Sequence, residues 1–183
     1  MRKTLLTLTP AALVLLTMSG TTQAATNAQL TVTANVVAST CDVLLSTNAL
    51  DLGNHALSAF SSVATPVAAS KKTFTVSLNN CEVPDTAATA SVAITGQTLV
   101  GHPTLFNTSG TNTGITFNKV GSPTAYLTSG DELLVATADA TTPTADDFNG
   151  QSLDLQAGLA SSVSSGIDIG AVSAPVLFSF VYN

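Results

Sequence analysis

Val176-Leu177-Phe178-Ser179-Phe180-Val181-Tyr182-Asn183 closes the chain. Val176, Phe178, Phe180 and Tyr182 share one phase of a two-residue period, as in a β-strand with one buried face. Working back from that stretch, the alternation recurs. Leu153, Leu155, Ala157 and Leu159 share a phase, Ile115 and Phe117 follow the polar loop Asn107–Gly114, and Val92 and Ile94 precede Gly96. Phe74, Val76 and Leu78 alternate with Thr73, Thr75, Ser77 and Asn79 up to Cys81, and Leu50 and Leu52 flank Asp51 before Gly53. Leu30, Val32, Ala34 and Val36 alternate with Thr31, Thr33 and Asn35. Outside the N-terminal segment no comparable window holds a capped helical stripe. About seven short strands, separated by Gly, Pro, Asn and Ser clusters, predict an all-β chain folded as a sandwich.

Composition narrows the function. The mean hydropathy of +0.40 leans apolar, yet no uninterrupted apolar run of about 18 residues is present to cross a membrane as a helix. Five Lys and Arg face eleven Asp and Glu, so no basic stripe exists to neutralise phosphates and nucleic acid is excluded as a partner. With no Trp, two His and 5% aromatics, the side chains that usually build catalytic pockets are scarce. Neither Gly-x-Ser-x-Gly, His-Glu-x-x-His nor a Walker sequence occurs, so no enzyme and no cofactor are expected. Asp147, Asn149 and Gly150 are spaced like the middle of a calcium loop. Ala145 and Gln156 occupy the first and last ligand positions, however, so the match fails and no metal site is expected. A turn on Asp147-Phe148-Asn149-Gly150 accounts for them better. His55 and His102 fall in or beside expected loops and read as solvated. The polar stretch Ala138–Asp147 reads as a loop between strands rather than a linker between domains, because too few residues follow to build a second core.

The N-terminus carries an export signal. Met1-Arg2-Lys3 is basic, Thr4 to Met18 is mostly apolar, and Thr22 and Ala24 stand at −3 and −1 of a small-x-small cleavage site. Residues 1–24 are therefore read as a signal peptide, leaving 159 of the 183 residues as one domain by length. Once Arg2 and Lys3 are removed, three lysines face all eleven acids and the charge is −8. Cys41 and Cys81 are the only cysteines, and export to an oxidising compartment favours a disulfide between them. Metal binding is the rival reading, but two cysteines without nearby His partners make a poor site.

Both terminal strands sit awkwardly in a self-sufficient sandwich. The alternating segment from Leu30 starts a few residues after the expected cleavage site, and the last strand runs to Asn183 with nothing following to cover its edge. A long apolar edge is an aggregation hazard unless something pairs with it. The chain is expected to receive a strand from elsewhere.

Leu30-Thr31-Val32-Thr33-Ala34-Asn35-Val36-Val37-Ala38-Ser39-Thr40-Cys41 resembles the N-terminal extension and first cysteine of chaperone–usher pilins of the type 1 fimbria kind. Leu50-Asp51-Leu52-Gly53 is similar to their early strand motif, and Phe74–Cys81 to the strand ending in their second cysteine. Leu153–Leu159 with Gly166 and Gly170 resembles their penultimate strand and following turn. Phe178–Asn183 is similar to their C-terminal strand with its penultimate Tyr. The resemblance covers nearly all of the chain beyond the signal peptide.

It implies an incomplete immunoglobulin-like β-sandwich lacking its last strand, completed by a donor strand from a partner. Residues 25–37 would be the donor-strand extension and 38–183 the pilin domain. By position, Ala28, Leu30, Val32, Ala34 and Val36 would enter a neighbouring subunit's groove; many relatives carry Gly where Ala34 stands. Phe178, Phe180 and Tyr182 would line this subunit's own acceptor groove. The carboxylate on Asn183 is what a periplasmic chaperone would grip. The implied partners are that chaperone, an outer-membrane usher, neighbouring pilin subunits and, through the assembled fibre, a host receptor. The implied route runs through the periplasm to a cell-surface fimbrium. The implied function is a structural, non-catalytic fimbrial subunit supporting adhesion. The alternative is a single-domain adhesin of the same fold that binds a host glycan or protein directly.

Overall fold

The structure is a computed structural model that describes residues 40–84, 88–109, 111–138 and 142–183. Among these, nine strands form: β1 (Asp42–Leu45), β2 (Lys72–Asn79), β3 (Thr89–Gly96), β4 (Thr98–Leu99), β5 (His102–Phe106), β6 (Thr113–Lys119), β7 (Glu132–Thr137), β8 (Ser152–Ser161) and β9 (Val176–Tyr182). One sheet has the order β1-β2-β8-β6-β5-β4 and the other the order β7-β3-β9, and every strand pair is antiparallel. The predicted all-β sandwich is what forms, with no α-helix among the described residues. The alternating segments at 73–79, 92–94, 115–117, 153–159 and 176–182 all fall on strands. The segment Leu30–Val36 lies outside the described residues.

The inward phases of the two sheets make one core. Phe74, Val76 and Leu78 of β2, Val92 and Ile94 of β3, Phe117 of β6, Leu155 and Ala157 of β8 and Phe178 of β9 are all buried. Phe74 is the bridge between layers. Its ring meets Phe117 of its own sheet edge-on at 6.2 Å and Phe178 of the opposite sheet at 5.8 Å. Edge-to-face pairs of this kind add about 0.5–1.5 kcal/mol each to the burial of their area.

One local expectation was wrong and another held in part. Leu50-Asp51-Leu52-Gly53 is irregular rather than a strand. The Asp51 carboxylate takes the Gly53 N–H at 2.9 Å, His55 Nε2 lies 2.8 Å from the Leu52 carbonyl, and Gly53 has φ +85°. A side chain that bonds the backbone two residues on diverts it from a ladder. The first described strand is β1, immediately after Cys41. The histidines lie in or beside loops as expected, His55 in this irregular segment and His102 at the first residue of β5, but both are half-buried rather than fully solvated.

Cys41 and Cys81 form the expected disulfide, joining the start of β1 to the chain just beyond β2. Around it the backbone is closely tied. Glu82 donates its N–H to the Thr40 carbonyl at 2.8 Å, and Asn80 bonds Asp42 at 2.8 Å while adopting a left-handed φ of +50° that Asn tolerates. The Asp147–Gly150 turn packs on the same corner. It follows a 3₁₀ turn at Ala145–Asp147 capped reciprocally by Thr144 and Asp147. Phe148 is fully buried, and Asn149 accepts the Cys81 N–H at 2.9 Å.

Breaking the disulfide releases a loop of 40 residues, and the chain-entropy relation puts the loss at about 4 kcal/mol. Denaturant unfolding of the Cys41→Ala/Cys81→Ala protein is expected to show a lower midpoint and an unfolding free energy reduced by about that amount. A loss below about 1 kcal/mol would mean that the hydrogen bonds around the corner hold it alone.

Candidate functional site

β9 is the edge of the three-stranded sheet, and its pairing with β3 dictates what it presents. Thr89 and Asn183 exchange both backbone hydrogen bonds, at 2.8 and 3.0 Å. Antiparallel pairs alternate between bonded and non-bonded, so Val181, Ser179 and Leu177 direct their peptide groups toward β3 in the same way. The N–H and C=O groups of Phe178, Phe180 and Tyr182 therefore point out of the sheet edge, spaced about 6.8 Å apart along the strand. Among the described residues no strand pairs with them.

Beside this edge the sandwich is open. A groove of about 1040 Å³ runs between the segment 47–57 and the segment 167–176. Its floor is core: Phe74, Phe117, Ala157 and Phe178 line it and are buried. Leu50, Leu52, Ile115, Leu159 and Val176 line it half-buried, although all are large aliphatics that a closed sandwich would cover. One wall is pinned through Asn112, which takes the Asp168 N–H and donates its own N–H to the Asp168 carboxylate, both at 2.9 Å. The Asn112 side-chain amide also reaches the Gly166 carbonyl at 2.8 Å. Thr108 adds a backbone bond to Ser173 at 2.9 Å.

The residues proposed from the sequence divide between two places. Phe178 lies in the groove. Phe180 and Tyr182 meet edge-to-face with ring centres 4.5 Å apart, and Tyr182 meets Phe148 edge-on at 5.4 Å. That pair sits at the disulfide corner: the Tyr182 hydroxyl donates to the Glu82 carbonyl at 2.9 Å and lies 3.9 Å from Cys41 Sγ. Asn183 is exposed and continues the ladder against Thr89. Ala28, Leu30, Val32, Ala34 and Val36 lie outside the described residues.

Sequence reasoning missed the aliphatic rim. The only signal for it was that Ile115, Leu159 and Val176 share the inward phase of their strands, as fully buried residues also do. Chemically the site can bind an extended apolar segment, through peptide groups at the edge and side chains in the groove. No group of three His, Cys, Asp or Glu that could hold a metal occurs among the described residues.

A two-sheet sandwich with an unpaired terminal strand and an apolar groove beside it is the architecture of a pilin. The sequence profile of the fimbrial protein family matches residues 26–183, and the chain belongs to that family. The structure is similar to the P pilus rod subunit PapA, at 21% identity and a TM-score of 0.53, covering 78% of this chain and 99% of that one. It is also similar to a chaperone–usher pilus subunit from a structure addressing rod uncoiling, at 21% identity and a TM-score of 0.50, covering 86% of this chain and 96% of that one. No curated protein matches the sequence. The chain is a chaperone–usher fimbrial subunit with an immunoglobulin-like fold. Its family is structural and non-enzymatic, its place is a cell-surface fimbrium, and its partners include neighbouring pilin subunits and the assembly machinery.

Burial, with a smaller contribution from the Glu82 charge, raises the Tyr182 phenol above its ordinary value of 10.0; burial raises Tyr126 too. A group whose pKa is higher folded than unfolded contributes stability that is complete below the unfolded value and lost as pH rises through the folded one. In a Tyr126→Phe protein the remaining phenol is therefore expected to titrate above pH 10, with stability falling over that range. Spectrophotometric titration checks it, and a phenol ionising at 10 or below would contradict the packed corner.

Proposed function

We propose that this subunit polymerises by donor-strand exchange and that the fibre it forms supports cell adhesion. The observation that carries the reading is the coincidence of the open β9 edge with an apolar groove whose rim is half-buried aliphatic. An added strand would satisfy the edge through main-chain bonds, while alternate side chains fill the groove, which is β-strand addition. The segment with matching chemistry is in the chain itself. Residues 1–24 serve as the signal peptide and 25–37 as the donor extension, with 38–183 as the pilin domain.

Leu30, Val32, Ala34 and Val36, with Ala28 toward the free end, enter the groove of the next copy. Burying Leu30, Val32 and Val36 yields about 1.5–3 kcal/mol apiece before ordering costs. Before that exchange a periplasmic chaperone lends the strand and holds the Asn183 carboxylate, and an outer-membrane usher receives the complex. Phe178 contributes groove surface, whereas Phe180 and Tyr182 hold the strand's far end in place. The pairing of a hydrophobic floor with unsatisfied peptide groups favours a strand over a compact ligand such as a sugar.

Deleting residues 25–37 is expected to leave the subunit able to co-purify with its chaperone but unable to form fibres, which are seen as an SDS-resistant ladder in unboiled samples. A ladder from the deleted protein would overturn the donor assignment. Ile115→Lys, which puts a charge in the groove, is expected to abolish both chaperone capture and the ladder; capture at the unsubstituted level would remove the groove from the mechanism.

A further inference from the structure

Asn149-Gly150 is the one place in the chain where Asn is followed by Gly. Gly has no Cβ to crowd its nitrogen, so the peptide after such an Asn is the most open to attack on the Asn side chain. In that reaction the Gly150 nitrogen attacks Asn149 Cγ, a C–N bond forms and the Cγ–Nδ2 bond breaks. Ammonia leaves with the Gly150 proton. Water then opens the succinimide ring at either carbonyl, giving aspartate or isoaspartate. Solvent reaches the site, because Gly150 is exposed, Asn149 is half-buried, and nothing lies within 4 Å of where a Gly150 Cβ would stand. Burial therefore does not protect it.

Hydrogen bonds hold both reacting groups instead. The Gly150 N–H, which must be lost for attack, is donated to the Leu78 carbonyl at 2.8 Å, and Leu78 donates its own N–H to the Gln151 carbonyl at 2.9 Å. Asn149 Oδ1 takes the Cys81 N–H at 2.9 Å, and the Asn149 N–H is donated to the Ala145 carbonyl at 2.9 Å. Nucleophile and electrophile are thus tied to two points at the end of β2, one of them a cysteine of the disulfide. Phe148, fully buried and in contact with Tyr182, fixes the residue before them. A peptide N–H bonded in this way reacts from an opened state, as in hydrogen exchange. The product does not reclose the corner. Isoaspartate routes the main chain through the side-chain carbon, and the added atom keeps residues 149 and 150 from meeting Cys81 and Leu78 together. Aspartate instead adds a carboxylate to a corner that already holds Asp42, Glu82 and Asp147.

We infer that Asn149-Gly150 is a latent site of deamidation, closed while the disulfide corner is formed and reactive in chains whose corner is open. Chains that stay unoxidised are marked irreversibly at this site, and folded subunits are not. The test incubates the purified subunit, with Cys41–Cys81 intact, in mildly alkaline buffer with and without urea above its unfolding midpoint. Peptide mapping by mass spectrometry then quantifies aspartate and isoaspartate at position 149. The folded protein is expected to be modified at least about tenfold more slowly than the same chain in urea. Equal rates would overturn the inference, as would no modification in urea or faster modification at another asparagine there. The Cys41→Ala/Cys81→Ala protein separates the disulfide from the fold. If circular dichroism shows it folded, its rate is expected to fall between the other two, and a rate as slow as that of the oxidised protein would overturn the gate. If it does not fold, it is expected to match the rate in urea, and a slower rate would overturn the gate equally.

Discussion

The edge of β9, unpaired among the described residues, is the constraint on which the rest of this molecule depends. A buried peptide group without a partner costs about as much as a lost hydrogen bond, so such groups are nearly always paired. Here Phe178, Phe180 and Tyr182 turn theirs out of the sheet beside a groove whose floor is the core. An extended chain with alternating aliphatic side chains has the chemistry to satisfy both. A chain with little catalytic chemistry thus presents a surface suited to strand addition.

A strand that must stay open needs to be held from somewhere other than its free edge. The disulfide corner does this. Cys41–Cys81, the buried Phe148, Asn149 and the Tyr182 hydroxyl meet within one small region, and Tyr182 is the residue of β9 that reaches it. At the other wall the Asn112–Asp168 exchange holds the segment before β9 against the start of β6. The disulfide corner thus fastens the far end of β9, and the Asn112–Asp168 clamp holds the segment 167–176 that walls the groove.

Much of this was legible in the residues. Two-residue alternation at Phe74–Leu78, Leu153–Leu159 and Val176–Tyr182 located three long strands, because each buries one face only. The cysteine pair followed from its being the sole pair in an export context. Strands without that pattern were missed. β1 (Asp-Val-Leu-Leu) and β7 (Glu-Leu-Leu-Val-Ala-Thr) hold adjacent apolar residues, and the ladder from β7 to β3 shifts register at Ala90/Ser91. Leu50-Asp51-Leu52-Gly53 was misread for the opposite reason: it alternates like a strand, but Asp51 and Gly53 bend it through local bonds.

By itself the sequence determined the class of the protein, its disulfide and the direction in which each long strand faces, since those depend on local period and on which residue types are present. Only the tertiary structure decided which inward-facing residues stay uncovered. Ile115, Leu159 and Val176 have the same chemistry and phase as residues that are fully buried. What separates them is whether another strand lies across them, a fact of long-range pairing that no local pattern encodes. The same holds for Phe178 and Tyr182. They are two turns of one alternation, yet one lines the groove and the other fastens the strand to the disulfide corner, because the chain that packs beside each comes from a distant part of the sequence.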